Sequence, residues 1–163
     1  MQTWWTSSAR APVKSALQAL HEHAANVTAL HRPICLASGR CCNFKTHDHI
    51  LVVTGLEAAW TLRNSKRIVT AEAAEAAVFT GACVFLTGNQ CSIHEARPTG
   101  CRSYFCDKGD ETWQAKLAET MHRSIRQLHD ELNIPYLCAE WGWLVKSLSI
   151  AQQRGVLSED SPY

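Results

Sequence analysis

At 163 residues the chain fits the size of one domain and is long enough to bury a core without covalent staples. Its composition, 46% hydrophobic and 19% charged, excludes a disordered polymer, and no run approaches the ~18 uninterrupted apolar residues of a membrane span. A formal charge of +1, from 16 Lys and Arg against 15 Asp and Glu, gives no general electrostatic reason to expect nucleic acid or a membrane surface as partner.

The opening stretch "MQTWWTSSARAPVKSALQAL" lacks the basic start, apolar run and small-residue cleavage site of a secretory signal, so a cytoplasmic setting is expected. Val13, Leu17, Leu20, Val27 and Leu30 recur near helical spacing and predict a first helix from about Ser8 to His31, ended by Pro33. Cys35 to His49 has the Gly, Asn and Asp content of a loop, and "ILVVT" at 50–54 reads as a short extended segment. Thr54-Gly-Leu-Glu57 has the spacing of a capping box and predicts a helix through about Asn64. The basic run "RNSKR" at 63–67 is its solvated end. A third helix is expected over 71–80, capped by Thr70 and closed by Gly81. "CVFL", "TGNQ" and "CSIHE" then read as two short strands around a Gly-Asn turn. "RPTGCRSYFCDKGD" reads as a loop, because its Pro and two Gly residues oppose helix. A long helix begins near Asp110 and buries the stripe Trp113, Leu117, Met121, Ile125, Leu128 and Leu132. A last helix from about Leu137 to Gln153, bounded or interrupted by Gly142, turns Trp141, Trp143, Leu144 and Leu148 inward. The expected fold is mainly α: one small domain of about five helices, with a short β-hairpin and two Cys-rich loops converging on a metal site.

Eight cysteines in a reducing compartment point to metal or redox chemistry rather than to a disulfide framework. Cys35, Cys41 and Cys42 form one knot; Cys83, Cys91, Cys101 and Cys106 form another; Cys138 stands alone and reads as a small buried residue on the last helix, beside Trp141. The paired Cys-x2-4-Cys knuckles of zinc fingers are absent, and seven thiols exceed the four that one structural zinc takes. Thiolates gathered from different loops suit an iron–sulfur cluster somewhat better. Zinc as a structural organiser stays open, as does a thiol oxidoreductase without metal, although no Cys-x2-Cys begins a helix.

"CLASGRCCNF" followed by "CVFLTGNQCSIHEARPTGCRSYFC" resembles the YkgJ-type cysteine-cluster family, the zinc- or iron-chelating CxxCxxCC domain. The resemblance runs over about residues 35–106 and is strongest over 91–106; Ser38 stands where some members carry a second cysteine, so ligands would be shared between the knots. It implies a metal held by Cys35, Cys41, Cys42, Cys83, Cys91, Cys101 and Cys106. The cofactor would be an iron–sulfur cluster, the 4Fe-4S kind included, or zinc. Similar domains occur in flagellin lysine-N-methylase proteins, which adds protein modification to the roles implied. A redox, sensing or protein-modification role would bring a redox partner or a protein substrate.

Arg97 and Arg102 are candidates to offset thiolate charge or to donate to sulfur at such a cofactor, with surface salt bridging the alternative. His94 alternates with Ile93 on the predicted strand and reads as packing. His47 and His49 would share a face as a possible metal pair, but loop histidines are ordinarily solvated. His122 and His129 read as residues at the margin of the long helix's apolar stripe. No nucleophile elbow or phosphate loop occurs in the chain, and whether it is an enzyme stays open.

Overall fold

A computed structural model describes residues 1–36, 38–105 and 111–158. Two helices open the chain: α1 (Gln2–Ala9) and α2 (Ala11–His31). Where a single helix was expected, the backbone breaks at Arg10 into an extended conformation, and Pro12 sits in the first turn of α2, where its missing N–H costs nothing. After a 3-10 turn at Arg40–Cys42 come β1 (Val52–Thr54), α3 (Gly55–Asn64) and α4 (Ala71–Thr80). The hairpin strands β2 (Leu86–Thr87) and β3 (Gln90–Cys91), a 3-10 turn at His94–Ala96 and the short α5 (Thr99–Ser103) follow. The long α6 (Thr112–Glu131), β4 (Cys138–Glu140) and α7 (Trp141–Gln153) complete the described chain.

The expected capping box forms: Thr54 Oγ1 accepts from the Glu57 amide at 3.3 Å, and Glu57 Oε2 accepts from the Thr54 amide at 3.0 Å. The helix that it starts, α3, is the centre of the fold, with every residue from Gly55 to Leu62 buried. α1 lies across it at close range. A Cβ on Gly55 would fall 2.4 Å from the Trp4 ring, so only glycine admits this approach. Trp4 and Trp5 thereby enter a core shared with Leu17, Leu56, Phe85, Ile125, Trp141 and Leu148.

Two two-stranded sheets brace the core. The hairpin has the expected Gly88-Asn89 turn but is shorter than the sequence suggests, pairing Leu86 with Cys91 and Thr87 with Gln90. In the other, β1 pairs antiparallel with β4, setting Val52 opposite Glu140 and Thr54 opposite Cys138. Residues 138–140 were expected to begin the last helix; long-range pairing with β1 overrides their local helix preference. Because α7 therefore starts at Trp141, its inner face carries Trp141, Leu144, Val145 and Leu148. Trp143, roughly 200° round the helix, is 52% exposed rather than buried.

On α6, Leu117, Met121, Ile125 and Leu128 are buried as the stripe requires, with Trp113 and Leu132 at its half-buried ends. His129 joins the core instead of marking its margin: it is 1% exposed, with Nδ1 3.1 Å from the Ile134 carbonyl. Among the described residues, no helix is long and apolar enough to cross a membrane.

Candidate metal centre

Gly39 adopts φ 70°, a left-handed turn that starts the 3-10 turn carrying Cys41 and Cys42 and lays it against the hairpin tip, with Asn89 Cα 3.2 Å from where a Cβ would stand. Consecutive side chains in such a turn diverge by roughly 120° rather than pointing to opposite faces. Cys42 is buried and Cys41 half-buried. The Cys42 amide and the Asn43 side-chain amide both donate to the Gly39 carbonyl, at 2.9 and 3.0 Å, and hold the turn closed.

The two cysteine knots are joined through the backbone. The Cys83 amide donates to the Cys42 carbonyl at 2.7 Å, which brings the buried Cys83 thiol beside the first knot, and the hairpin returns Cys91 to the same place. The Cys42 thiol stands close enough to those of Cys41, Cys83 and Cys91 for its single proton to be shared with any one of them. Cys101, on α5, lies within electrostatic reach of Cys41, Cys83 and Cys91.

Crowding sorts these thiols by ionisation. The Cys42 proton favours a thiolate at whichever neighbour accepts it: Cys41 and Cys91 are each brought down to about 6, and Cys83 is lowered as well, all against the opposing effect of burial. Cys42 itself is held strongly protonated, first by its bond to Cys41 and then by those to Cys83 and Cys91. Burial, and then the neighbouring thiolates, push Cys101 up.

Positive charge and donors surround the group. Arg97 lowers Cys41, Cys91 and Cys101 electrostatically, and Trp141 Nε1 donates to Cys83 Sγ at 3.3 Å. Arg102 works differently from its neighbour. Its Nε donates to the Arg97 carbonyl at 2.9 Å and another guanidinium nitrogen to the Glu95 carbonyl, so its donors brace the turn that presents Arg97. Burial, then Arg97, lowers Arg102 to about 10.

A residue the sequence marked only as a helix cap proves to fix the Cys101 segment. Glu57 is 4% exposed; while Oε2 serves Thr54, Oε1 accepts from the Thr99 amide at 3.0 Å and the Thr99 hydroxyl at 2.5 Å. One carboxylate thus ties the start of α3 to the first residue of α5, two positions before Cys101. That α5 is a helix corrects the loop expected there: Pro98 precedes its first residue and Gly100 permits close approach, a Cβ there meeting Leu51 at 2.8 Å.

Other candidates lie elsewhere. Cys35 is exposed, and Cys106 falls outside the described residues. Cys138 is half-buried on β4 rather than on a helix; burial raises it, opposed by a hydrogen bond from Tyr136. His47 is exposed, whereas His49 packs its ring on Tyr104 with centroids 5.3 Å apart and sets Nε2 3.5 Å from the Cys41 carbonyl. His94 sits on a 3-10 turn, lowered first by burial and then by Arg97 and Arg102. His122 is exposed, with Nε2 3.3 Å from the Tyr136 hydroxyl. Among the described residues, no three or more His, Cys, Asp or Glu side chains are arranged around a common centre as a metal would require. As donor types, buried and half-buried thiols suit zinc or an iron–sulfur cluster.

A family model described as "Putative zinc- or iron-chelating domain", CxxCxxCC, matches residues 34–121, over half of the chain. The chain belongs to this family. The chelating domain thus spans the segment from just before Cys35 to the middle of α6, including the hairpin, Glu57, Arg97 and α5. α1, α2 and α7 lie outside it, yet Trp141 of α7 supplies the donor to Cys83. No curated protein and no solved structure matches the chain.

Two outcomes are expected of the metal-free chain. Glu57→Gln, which puts an amide donor among the donors of Thr54 and Thr99, should lower the unfolding free energy in urea by about 1–3 kcal/mol, and Thr99→Val by less. Native-like stability in Glu57→Gln would contradict the bridging role. Alkylation by iodoacetamide, followed by peptide mapping, should modify Cys41 and Cys91 with midpoints near pH 6, because only thiolates react; modification falls as pH drops through that value. Midpoints near the ordinary thiol value of 9.0 would show that Cys42 and Arg97 do not stabilise these thiolates.

Proposed function

We propose that the chain carries an iron–sulfur cluster held by thiolates of Cys41, Cys42, Cys83, Cys91 and Cys101, or four of these, and that it works in redox chemistry or in sensing. The observation that carries this reading is the bond of the Cys83 amide to the Cys42 carbonyl at 2.7 Å, which sets cysteines of the two knots side by side, with the hairpin bringing Cys91 back toward them. The polar surroundings support it. A cluster bearing several thiolates is anionic, and Arg97 together with the Trp141 N–H is the kind of environment that stabilises sulfur ligands and sets a potential. Metal entry would displace the proton that Cys42 retains. When bound, the cluster would supply one-electron chemistry, and a redox partner or a protein substrate would be the counterpart.

Zinc is the second reading. The family description names zinc beside iron, and the four thiolates that a structural zinc takes are a number these cysteines can supply. Elemental and sulfide analysis with an absorption spectrum on anaerobically prepared protein separates the two. Iron and acid-labile sulfide in equal amounts, with a brown colour lost in Cys42→Ser, is expected. Stoichiometric zinc without sulfide would replace the cluster reading, and a chain binding neither metal would remove both.

A further inference from the structure

The first turn of α7 lies directly against the last turn of α4: a Cβ on Gly142 would stand 3.2 Å from Val78 Cγ2. The two helices then run antiparallel, with Lys146 Nζ donating to Glu75 Oε1 at 2.7 Å and Gln153 Nε2 to Glu72 Oε1 at 3.3 Å. Phe79 follows Glu75 by four residues and Trp143 precedes Lys146 by three, so both aromatics share the outer face that this surface ion pair marks. Phe79 is 85% exposed, and Trp143 is the most exposed of the six tryptophans. Beside them a groove of about 240 Å³ opens between α4, the start of α7 and the loop that follows Cys42; Ile50 and Val78 in its wall are both exposed. Val52 is exposed as well, opposite Glu140 in the small sheet. A Phe or Trp side chain carries roughly 150–250 Å², so these five residues offer on the order of 500 Å² of apolar surface, more than half of the ~800 Å² that each partner gives to a standard interface. The charges around the groove are of both signs. Lys45 and Asp48 stand on its loop wall and Glu140 beside Gly142, and none has an ion pair with another described residue. Such a rim selects neither a strongly acidic nor a strongly basic partner. It is complementary to itself, because a two-fold axis at the groove turns Lys45 of each copy toward Glu140 of the other.

We propose that a second copy of this chain covers this face, forming a two-fold symmetric dimer with Phe79 and Trp143 at its apolar centre and Lys45 and Glu140 paired reciprocally at its edge. The assignment goes beyond metal binding and stands whichever metal the thiols hold. One wall of the groove is the loop that leads out of the Cys41–Cys42 turn, fixed to α4 by the Lys45 amide on the Gly81 carbonyl at 3.0 Å, so the second copy would press on that loop.

Analytical ultracentrifugation of the full chain as purified, over a series of concentrations, tests this. A phosphine reductant keeps the exposed Cys35 from cross-linking chains, and metal content is measured on the same sample. A monomer–dimer equilibrium that approaches twice the 18.1 kDa chain mass is expected, with Kd of roughly 1–50 μM. Phe79→Glu and Trp143→Glu each place a charge in the apolar centre and should weaken dimerisation at least about tenfold. Circular dichroism and metal content should stay unchanged in both, because both positions are exposed in the single chain. Lys45→Glu and Glu140→Lys should each weaken the dimer about three- to tenfold, and the two together in one chain should restore it, since the reciprocal pairs re-form with reversed sign. Leu30→Glu, at an exposed position of α2, should leave the dimer intact. A folded chain that stays monomeric up to about 200 μM would overturn the proposal. So would a dimer indifferent to both Phe79→Glu and Trp143→Glu, one weakened as much by Leu30→Glu, or a double charge reversal that restores nothing. Because metal content is read separately, a failure here is distinct from a failure of the thiol site.

Discussion

The Glu57 carboxylate accepts four hydrogen bonds in an interior position, two from Thr54 and two from Thr99. Burying a carboxylate is unfavourable unless its lone pairs are used, and here all four donors come from residues that open helices. The consequence reaches past the caps. Thr54 ends β1, whose pairing with β4 positions the start of α7, and Thr99 begins the helix that carries Cys101. The central helix, the small sheet and one of the thiol-bearing segments therefore share a single anchor. A second link of the same kind, the Cys83 amide on the Cys42 carbonyl, fixes the other thiols relative to one another before any side chain is considered.

What this scaffold gathers is electrostatically awkward. Thiols crowded around Cys42 cannot all ionise, so a thiolate at Cys41, Cys83 or Cys91 is favoured only while Cys42 keeps a proton to share with it. Arg97 relieves the charge from one side and Trp141 donates from the other, while Arg102 spends its donors on the backbone that holds Arg97 in place. A divalent ion or a cationic iron core would neutralise such a group far more completely than one proton does. That is the physical reason to read the group as ligands rather than as buried cysteines. The histidines near it have other work: His49 stacks on Tyr104, and His21, pressed against Trp60, is lowered to about 3 by burial and by Arg102 and Arg97.

Local signals in the sequence carried over where local energetics decide the structure. The Thr54–Glu57 box, the Thr70 cap with Gly81, the Gly-Asn turn and the stripe of α6 were all legible, as was the family. Features set by distant parts of the chain were not. The 138–140 segment becomes a strand only because β1 lies beside it, and moving the helix start to Trp141 turns Trp143 outward. Glu57 showed one oxygen's role in its spacing to Thr54; the other oxygen's partner lies forty-two residues on, and no periodicity reports that contact. Of the cysteines singled out, the sequence could not separate Cys35, which is exposed, from Cys42, which is buried with its carbonyl bonded by the Cys83 amide.

The central proposal is that the cysteines gathered near Cys42 hold a metal through sulfur alone. X-ray absorption at the metal edge of the purified, metal-loaded chain tests it most directly. The account predicts a first shell of sulfur alone near 2.3 Å, the usual metal–thiolate distance, with that shell lost or reduced in Cys42→Ser and unchanged in Cys138→Ser. A first shell dominated by nitrogen or oxygen at about 2.0–2.1 Å would contradict it, because the thiols would then be bystanders to a metal held elsewhere.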